Sequence, residues 1–215
     1  DLVVLHRHPT PFALVVKNHV IDANGVRVAR NENIGDMRLN LYRRVDPLLG
    51  TEEDLRSLIK SAAQLGMRVM LDGVFSHVGS DSVYFNRYGK YQSVGAYQSQ
   101  ESPYYPWFTF GQTRDDYESW WGIKNLPKPK KCREFRSFIC DRVIPKYMAL
   151  GIDGYRLDVV DELECDFLDE IVSAVKKAKP DAVIIGEVWE DASNKIAYDR
   201  RKRYFRGKQL SGVMN

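Results

Sequence analysis

Three apolar segments that each run into polar, chemistry-bearing residues predict an α/β protein built from parallel barrel units. The segments are Met67–Phe75, Gly151–Val160 and Ala182–Val188, and a run with apolar residues at helical spacing precedes each. They recur at roughly 30-residue intervals outside one long irregular stretch, with polar side chains gathered at the carboxyl ends, as in a (β/α)8 or TIM barrel. A doubly wound open sheet is the architectural rival. It needs a Gly-rich phosphate turn, and the chain contains no GxGxxG. The expected fold class is therefore α/β, a partial (β/α)8 barrel carrying a long insertion.

Residues 1–41 fit this pattern least; Leu2–Leu5 and Phe12–Val16 are short apolar runs suited to strands, broken by Pro9 and Pro11. Thr51 and Asp54 have the spacing of a capping box with Asp in place of Glu. Leu55, Leu58, Ile59, Ala62 and Leu65 then recur at helical spacing, and Gly66 stands where a helix stops. The strand Met67–Phe75 carries Asp72, with His77 just beyond it. From Val78 to Lys131 neither periodicity persists, and a loop of that length is uncommon unless functional. Glu134–Leu150 reads as a helix through Phe135, Phe138, Ile139, Val143 and Tyr147, interrupted near Pro145. Phe167, Leu168, Ile171, Val172, Val175 and Ala178 mark another amphipathic helix, closed by Pro180. Ala182–Val188 is a short buried strand ending at Glu187, and Ser193–Phe205 reads as the start of one more helix.

The 215 residues, 44% hydrophobic and 28% charged, suffice for one sizeable soluble core. A net charge of +3 is small, and the densest basic run, RRKRYFRGK at 200–208, is better explained as a solvated face than as a nucleic-acid patch. Cys132, Cys140 and Cys165 are odd in number and form no CxxC pair, so neither a disulfide framework nor a zinc site is expected. No apolar run approaches the ~20 residues of a membrane span, and no secretory leader is read at Asp1. The expectations are a cytoplasmic protein with no nucleic-acid partner and no membrane partner.

The chemistry centres on GIDGYRLDVVDE at 151–162. Side chains alternate along a strand, so Gly154, Arg156 and Asp158 share one face. A guanidinium beside a carboxylate keeps that carboxylate ionised, which suits a nucleophile or an electrostatic stabiliser. An ordinary structural Arg–Asp pair is the competing reading. Glu187 ends an apolar strand, where burial and a nearby anion would raise its pKa and keep a proton available.

Three segments carry a family resemblance. LDGVFSHVG (71–79), GIDGYRLDVVDEL (151–163) and IIGEVW (184–189) resemble, in order, the first three signature segments of the α-amylase family, glycoside hydrolase family 13. DPLLGTEEDLRSLI (46–59) and YESWWGIKNLPK (117–128) extend the likeness toward the neopullulanase, cyclomaltodextrinase and α-glucosidase-like branch. The likeness runs from about Tyr42 to the C-terminus. It implies a retaining glycosidase acting on α-glucosidic bonds of maltooligosaccharides or other α-glucans through a covalent glycosyl-enzyme intermediate. Asp158 would be the nucleophile and Glu187 the acid, then the base. His77 would contact a sugar hydroxyl, Asp72 would brace Arg156, and Glu162 would line an acceptor-side subsite. Trp107, Trp120 and Trp121 could stack on sugars, Trp121 being the chosen candidate, with aromatic packing as the alternative for each.

The resemblance divides the chain into a poorly matched segment at 1–41, a catalytic barrel at 42–77 and 132–215, and a subdomain at 78–131 inserted after the third barrel strand. It leaves His6, His8 and His19 outside the site, and it allows a homodimer in the parent enzyme. Ser76 replaces the asparagine expected before the first-segment histidine, which weakens the case for calcium; no metal and no cofactor are expected, with calcium left as the weakly supported alternative. LPKPKK at 126–131 lacks the asparagine expected after LPK, and no fourth signature segment precedes Asn215. The expectation is a central fragment with little activity of its own. A catalytically silent member that only binds carbohydrate or another protein is the alternative.

Overall fold

The computed structural model describes residues 42, 45, 50–205 and 209–214, together with the backbone of three earlier strands. In chain order the strands are β1 (Phe12–Val15), β2 (His19–Ile21), β3 (Arg27–Arg30), β4 (Arg68–Gly73), β5 (Gly154–Leu157), β6 (Val183–Glu187), β7 (Ile196–Ala197), β8 (Arg200–Arg201) and β9 (Gly212–Met214). The helices are α1 (Glu52–Gln64), α2 (Arg133–Ser137), α3 (Ile144–Leu150) and α4 (Cys165–Ala178). Leu2–Leu5, His6 and His8 lie outside the described residues.

Five strands form one wholly parallel sheet in the order β1-β4-β5-β6-β9. Each step moves to the next neighbour in the same direction. A doubly wound sheet would reverse at a switch point, so this order is that of a barrel wall, and the fold is a partial (β/α)8 barrel. Helices α1, α3 and α4 pack side by side along it. Phe12–Val15 therefore does form a strand, and β9 is an element that the sequence pattern did not reveal.

Local chemistry explains the helix boundaries. Thr51 caps α1 through a reciprocal box: Asp54 N–H donates to the Thr51 hydroxyl at 3.2 Å, and Thr51 N–H donates to Asp54 Oδ2 at 2.7 Å. The helix ends at Gly66, whose φ of 72° suits glycine. Leu65, expected on the buried face of α1, is exposed. The helix expected over Glu134–Leu150 is broken into α2, a π-helical turn at Phe138–Val143, and α3. Pro145 has no N–H to give the carbonyl one turn back, and Ile144 N–H reaches five residues back to Ile139 instead.

Two other expectations are corrected. The strand expected over Gly151–Val160 spans only Gly154–Leu157, because Gly151 closes α3 in the left-handed region and Val159 turns the chain with φ 38°. Ser193–Phe205 is a hairpin rather than a helix: β7 and β8 pair antiparallel, and Tyr198 and Asp199 between them both have positive φ, as in a two-residue I′ turn.

The 78–131 stretch packs around its own aromatic core. The Phe85 ring meets Tyr117, Phe108 and Tyr97 at centroid distances of 4.7, 5.0 and 5.6 Å. Trp107 docks this cluster onto the helical layer through Phe135, at 5.3 Å. Trp107 is thus a buried packing residue and not a sugar platform.

Candidate active site

Close strand packing sets the frame. Gly154, with φ 153°, lies so near β6 that an added Cβ would sit 1.8 Å from the Val183 carbonyl oxygen. That approach places Asp72, Arg156 and Ile185 in register across β4, β5 and β6. Asp158 follows the last residue of β5, and Glu187 is the last residue of β6.

Arg156 ties three carboxylates together. Its Nη1 lies 2.7 Å from both Asp72 Oδ1 and Asp158 Oδ1, and its Nη2 lies 2.7 Å from Glu187 Oε1. Burial acts to lower the guanidinium's pKa, but the charges of Asp72 and Asp158 outweigh it and hold that pKa above its ordinary value. The second Glu187 oxygen accepts from the Val159 N–H at 3.0 Å. A β-branched residue at positive φ is a backbone outlier, and here it aims that N–H at Glu187. The structure thus brings Asp72, Arg156, Asp158 and Glu187 into one cluster at the carboxyl ends of three neighbouring strands.

The other expected residues surround this cluster at different depths. His77 is buried at 3% exposure, with Nδ1 2.8 Å from Ser76 Oγ and its ring 5.3 Å from Trp120. Trp120 stacks on Trp121 at 4.9 Å and 11°, and Trp189 meets Trp121 edge-on at 5.2 Å. Trp121 and Trp189 are 65% and 51% exposed, so they offer open ring surface. Glu162 holds this corner: one oxygen accepts from Trp121 Nε1 at 3.3 Å and from the Tyr198 hydroxyl, the other from Lys128 Nζ at 3.1 Å. Burial acts to raise the Glu162 pKa, and these donors more than reverse it.

Sequence reasoning passed over several of these residues. Trp189 stood in the quoted IIGEVW and drew no role. Tyr42 donates to the Val74 carbonyl at 2.7 Å, and burial, followed by nearby Tyr84 and Asp158, pushes its pKa up. Lys131 donates to the Ser76 and Pro129 carbonyls at 3.1 and 2.9 Å. A cavity of about 440 Å³ opens beside Glu162 among Lys128, Lys131, Leu163, Tyr198 and Lys202, and none of the four cluster residues lines it.

Among the described residues, no group of three or more His, Cys, Asp and Glu side chains is arranged to hold a metal ion. Ser76, at the position in doubt for calcium, has its Oγ 2.8 Å from His77 Nδ1. Among the described residues, no helix is long and apolar enough to cross a membrane.

A barrel wall with a carboxylate cluster at the carboxyl ends of its strands is the layout of a TIM-barrel enzyme. The family model for the alpha amylase catalytic domain matches residues 36–215, beginning ahead of Tyr42, and the chain belongs to that family. It is 38% identical over 174 residues to the amylopullulanase of Thermoanaerobacterium saccharolyticum, an alignment covering 71% of this chain and 14% of that protein. It is 33% identical over 181 residues to the cyclomaltodextrinase of Geobacillus thermopakistaniensis, covering 81% of this chain and 28% of that one. Among solved structures it resembles the cyclic α-maltosyl-(1→6)-maltose hydrolase of Arthrobacter globiformis, with a TM-score of 0.70 and 26% identity, over 83% of this chain and 39% of that one.

Proposed function

We propose that the protein to which this chain belongs cleaves α-glucosidic bonds of maltooligosaccharides or related α-glucans with retention of configuration. The observation that carries this reading is the pair Asp158 and Glu187, held on the two terminal nitrogens of one guanidinium. Retention needs two carboxyl groups about 5–5.5 Å apart, one to attack and one to shuttle the proton. Asp158 attacks the anomeric carbon as the bond to the leaving oxygen breaks, and Glu187 gives that oxygen its proton. Glu187 then takes a proton from water, or from a sugar hydroxyl, whose oxygen displaces Asp158 and regenerates the carboxylate. Hydrolysis and transfer differ only in that acceptor.

Around this pair, Asp72 braces Arg156, and His77 meets a sugar hydroxyl. Trp121 and Trp189 supply ring faces for stacking, and Glu162 serves the acceptor side by fixing the Trp121 indole. The relatives' names support an α-glucan as substrate: amylopullulanase, cyclomaltodextrinase and cyclic α-maltosyl-(1→6)-maltose hydrolase.

The test is an assay with an activated aryl α-glucoside beside a binding titration with maltooligosaccharide. Turnover that Asp158→Asn abolishes, with binding retained, is the expected result. Binding without turnover in the unmodified protein contradicts it and points to a silent carbohydrate-binding member.

A further inference from the structure

His77 lies on the segment leaving β4, and side chains from several segments help to fix its place. Ser76 Oγ is 2.8 Å from Nδ1, and Trp120 packs against the ring. The Tyr42 hydroxyl approaches the His77 carbonyl at 3.2 Å, and Lys131 Nζ donates to the Ser76 carbonyl at 3.1 Å. The Ser76–His77 contact is closed to solvent: Ser76 is 0% exposed.

Which atom donates in that contact is a chemical question. A hydroxyl has one proton and two lone pairs, whereas Nδ1 carries either a proton or a lone pair according to tautomer. Ser76 decides it. Among the described residues, His77 Nδ1 is the one partner of Ser76 Oγ. If Nδ1–H were the donor, the serine's own proton would be buried with no acceptor, a condition that folded proteins rarely carry. If the hydroxyl donates, its proton is satisfied.

We propose that Ser76 is a positioning residue for His77: its hydroxyl donates to Nδ1 and holds the imidazole as the tautomer with its hydrogen on Nε2. The ring then presents Nε2–H as a hydrogen-bond donor, the form required to meet a sugar oxygen. The tautomer stands on the geometry alone; its use toward a sugar rests on the function proposed above. Ser76 occupies the position where the resemblance led asparagine to be expected.

The experiment is 15N NMR of the full chain with labelled histidine rings, His77→Gln identifying the His77 signals. At neutral pH, Nε2 is expected to show the shift of a protonated ring nitrogen and Nδ1 that of an unprotonated one. In Ser76→Ala the two shifts should move toward each other as the tautomers exchange, and Ser76→Thr, which keeps a hydroxyl, should restore the pattern. A wild-type ring protonated at Nδ1, or a Ser76→Ala spectrum identical to wild type, overturns the proposal. Should Ser76→Ala fail to fold, the wild-type spectrum decides. In a preparation that turns over α-glucoside, Ser76→Ala should lower kcat/KM on the order of tenfold. The expected spectrum, with no turnover by a protein that contains this chain and its missing flanks, upholds the tautomer and removes the glycosidase reading; turnover with a ring protonated at Nδ1 does the reverse.

Discussion

Glu187, the last residue of β6, is bound to Arg156 in the middle of the neighbouring strand, with Oε1 2.7 Å from Nη2. The same guanidinium holds Asp158 and Asp72 through Nη1. One buried cation therefore neutralises part of a three-carboxylate cluster and holds both groups proposed to act in catalysis.

Removing that cation leaves like charges facing each other in a partly buried site. Arg156→Ala is expected to cost ~3–5 kcal/mol of stability, the range for breaking a buried ion pair by deleting one partner. Arg156→Lys should recover only part of it, because an ammonium cannot present two forked nitrogens to Asp158 and Glu187. Urea unfolding midpoints measure both; a near-native midpoint for Arg156→Ala contradicts the clamp.

Lys131 should leave a mark on the pH dependence of folding. The residue as a whole is half-buried, but its ammonium is enclosed by two carbonyl oxygens and lies 5.1 Å from the Phe135 ring centroid. Burial, and then the charge of Lys128, push its pKa from 10.5 down to about 7. Between those values the unfolded chain holds a proton that the folded protein has released, so stability from this residue rises with pH across that window. The slope is at most ~1.4 kcal/mol per pH unit. Lys131→Met should lack this rise, and parallel stability profiles for the two proteins from pH 7 to 10 would refute it.

Trp121 and Trp189 are exposed, so truncating either should weaken maltooligosaccharide binding with little effect on stability. Loss of one aromatic platform is expected to raise Kd about tenfold, or ~1.4 kcal/mol. Calorimetric titration of Trp121→Ala and Trp189→Ala checks this. An unchanged Kd in both would assign the pair to packing instead.

The parts of the fold legible in the sequence are those specified by local pattern. The Thr51–Asp54 box, the Gly66 stop and the apolar stripe of α4 each follow from spacing, and the structure contains them. The Arg156–Asp158 contact follows from the two-residue period of a strand. What the pattern missed depends on backbone geometry or on contacts between distant segments. Nothing in the run around Tyr198 and Asp199 announced two consecutive positive φ values, and the charged residues there passed for a helix face. The Glu162 contacts with Trp121, Lys128 and Tyr198 join the 78–131 stretch, the turn after β5 and the β7–β8 hairpin, so no local spacing reveals them. The left-handed turn at Val159, which gives Glu187 a second donor, was hidden inside what read as a continuous strand.

The assignment of Asp158 as nucleophile is most directly tested by trapping. A protein containing this chain is incubated with a fluorinated α-glucosyl fluoride that forms the glycosyl-enzyme but hydrolyses slowly, then digested and examined by mass spectrometry. The account predicts one glucosyl adduct per protein on the peptide carrying Asp158, absent in Asp158→Asn. An adduct on the peptide carrying Glu187, or turnover of α-glucoside that survives Asp158→Asn, would contradict it.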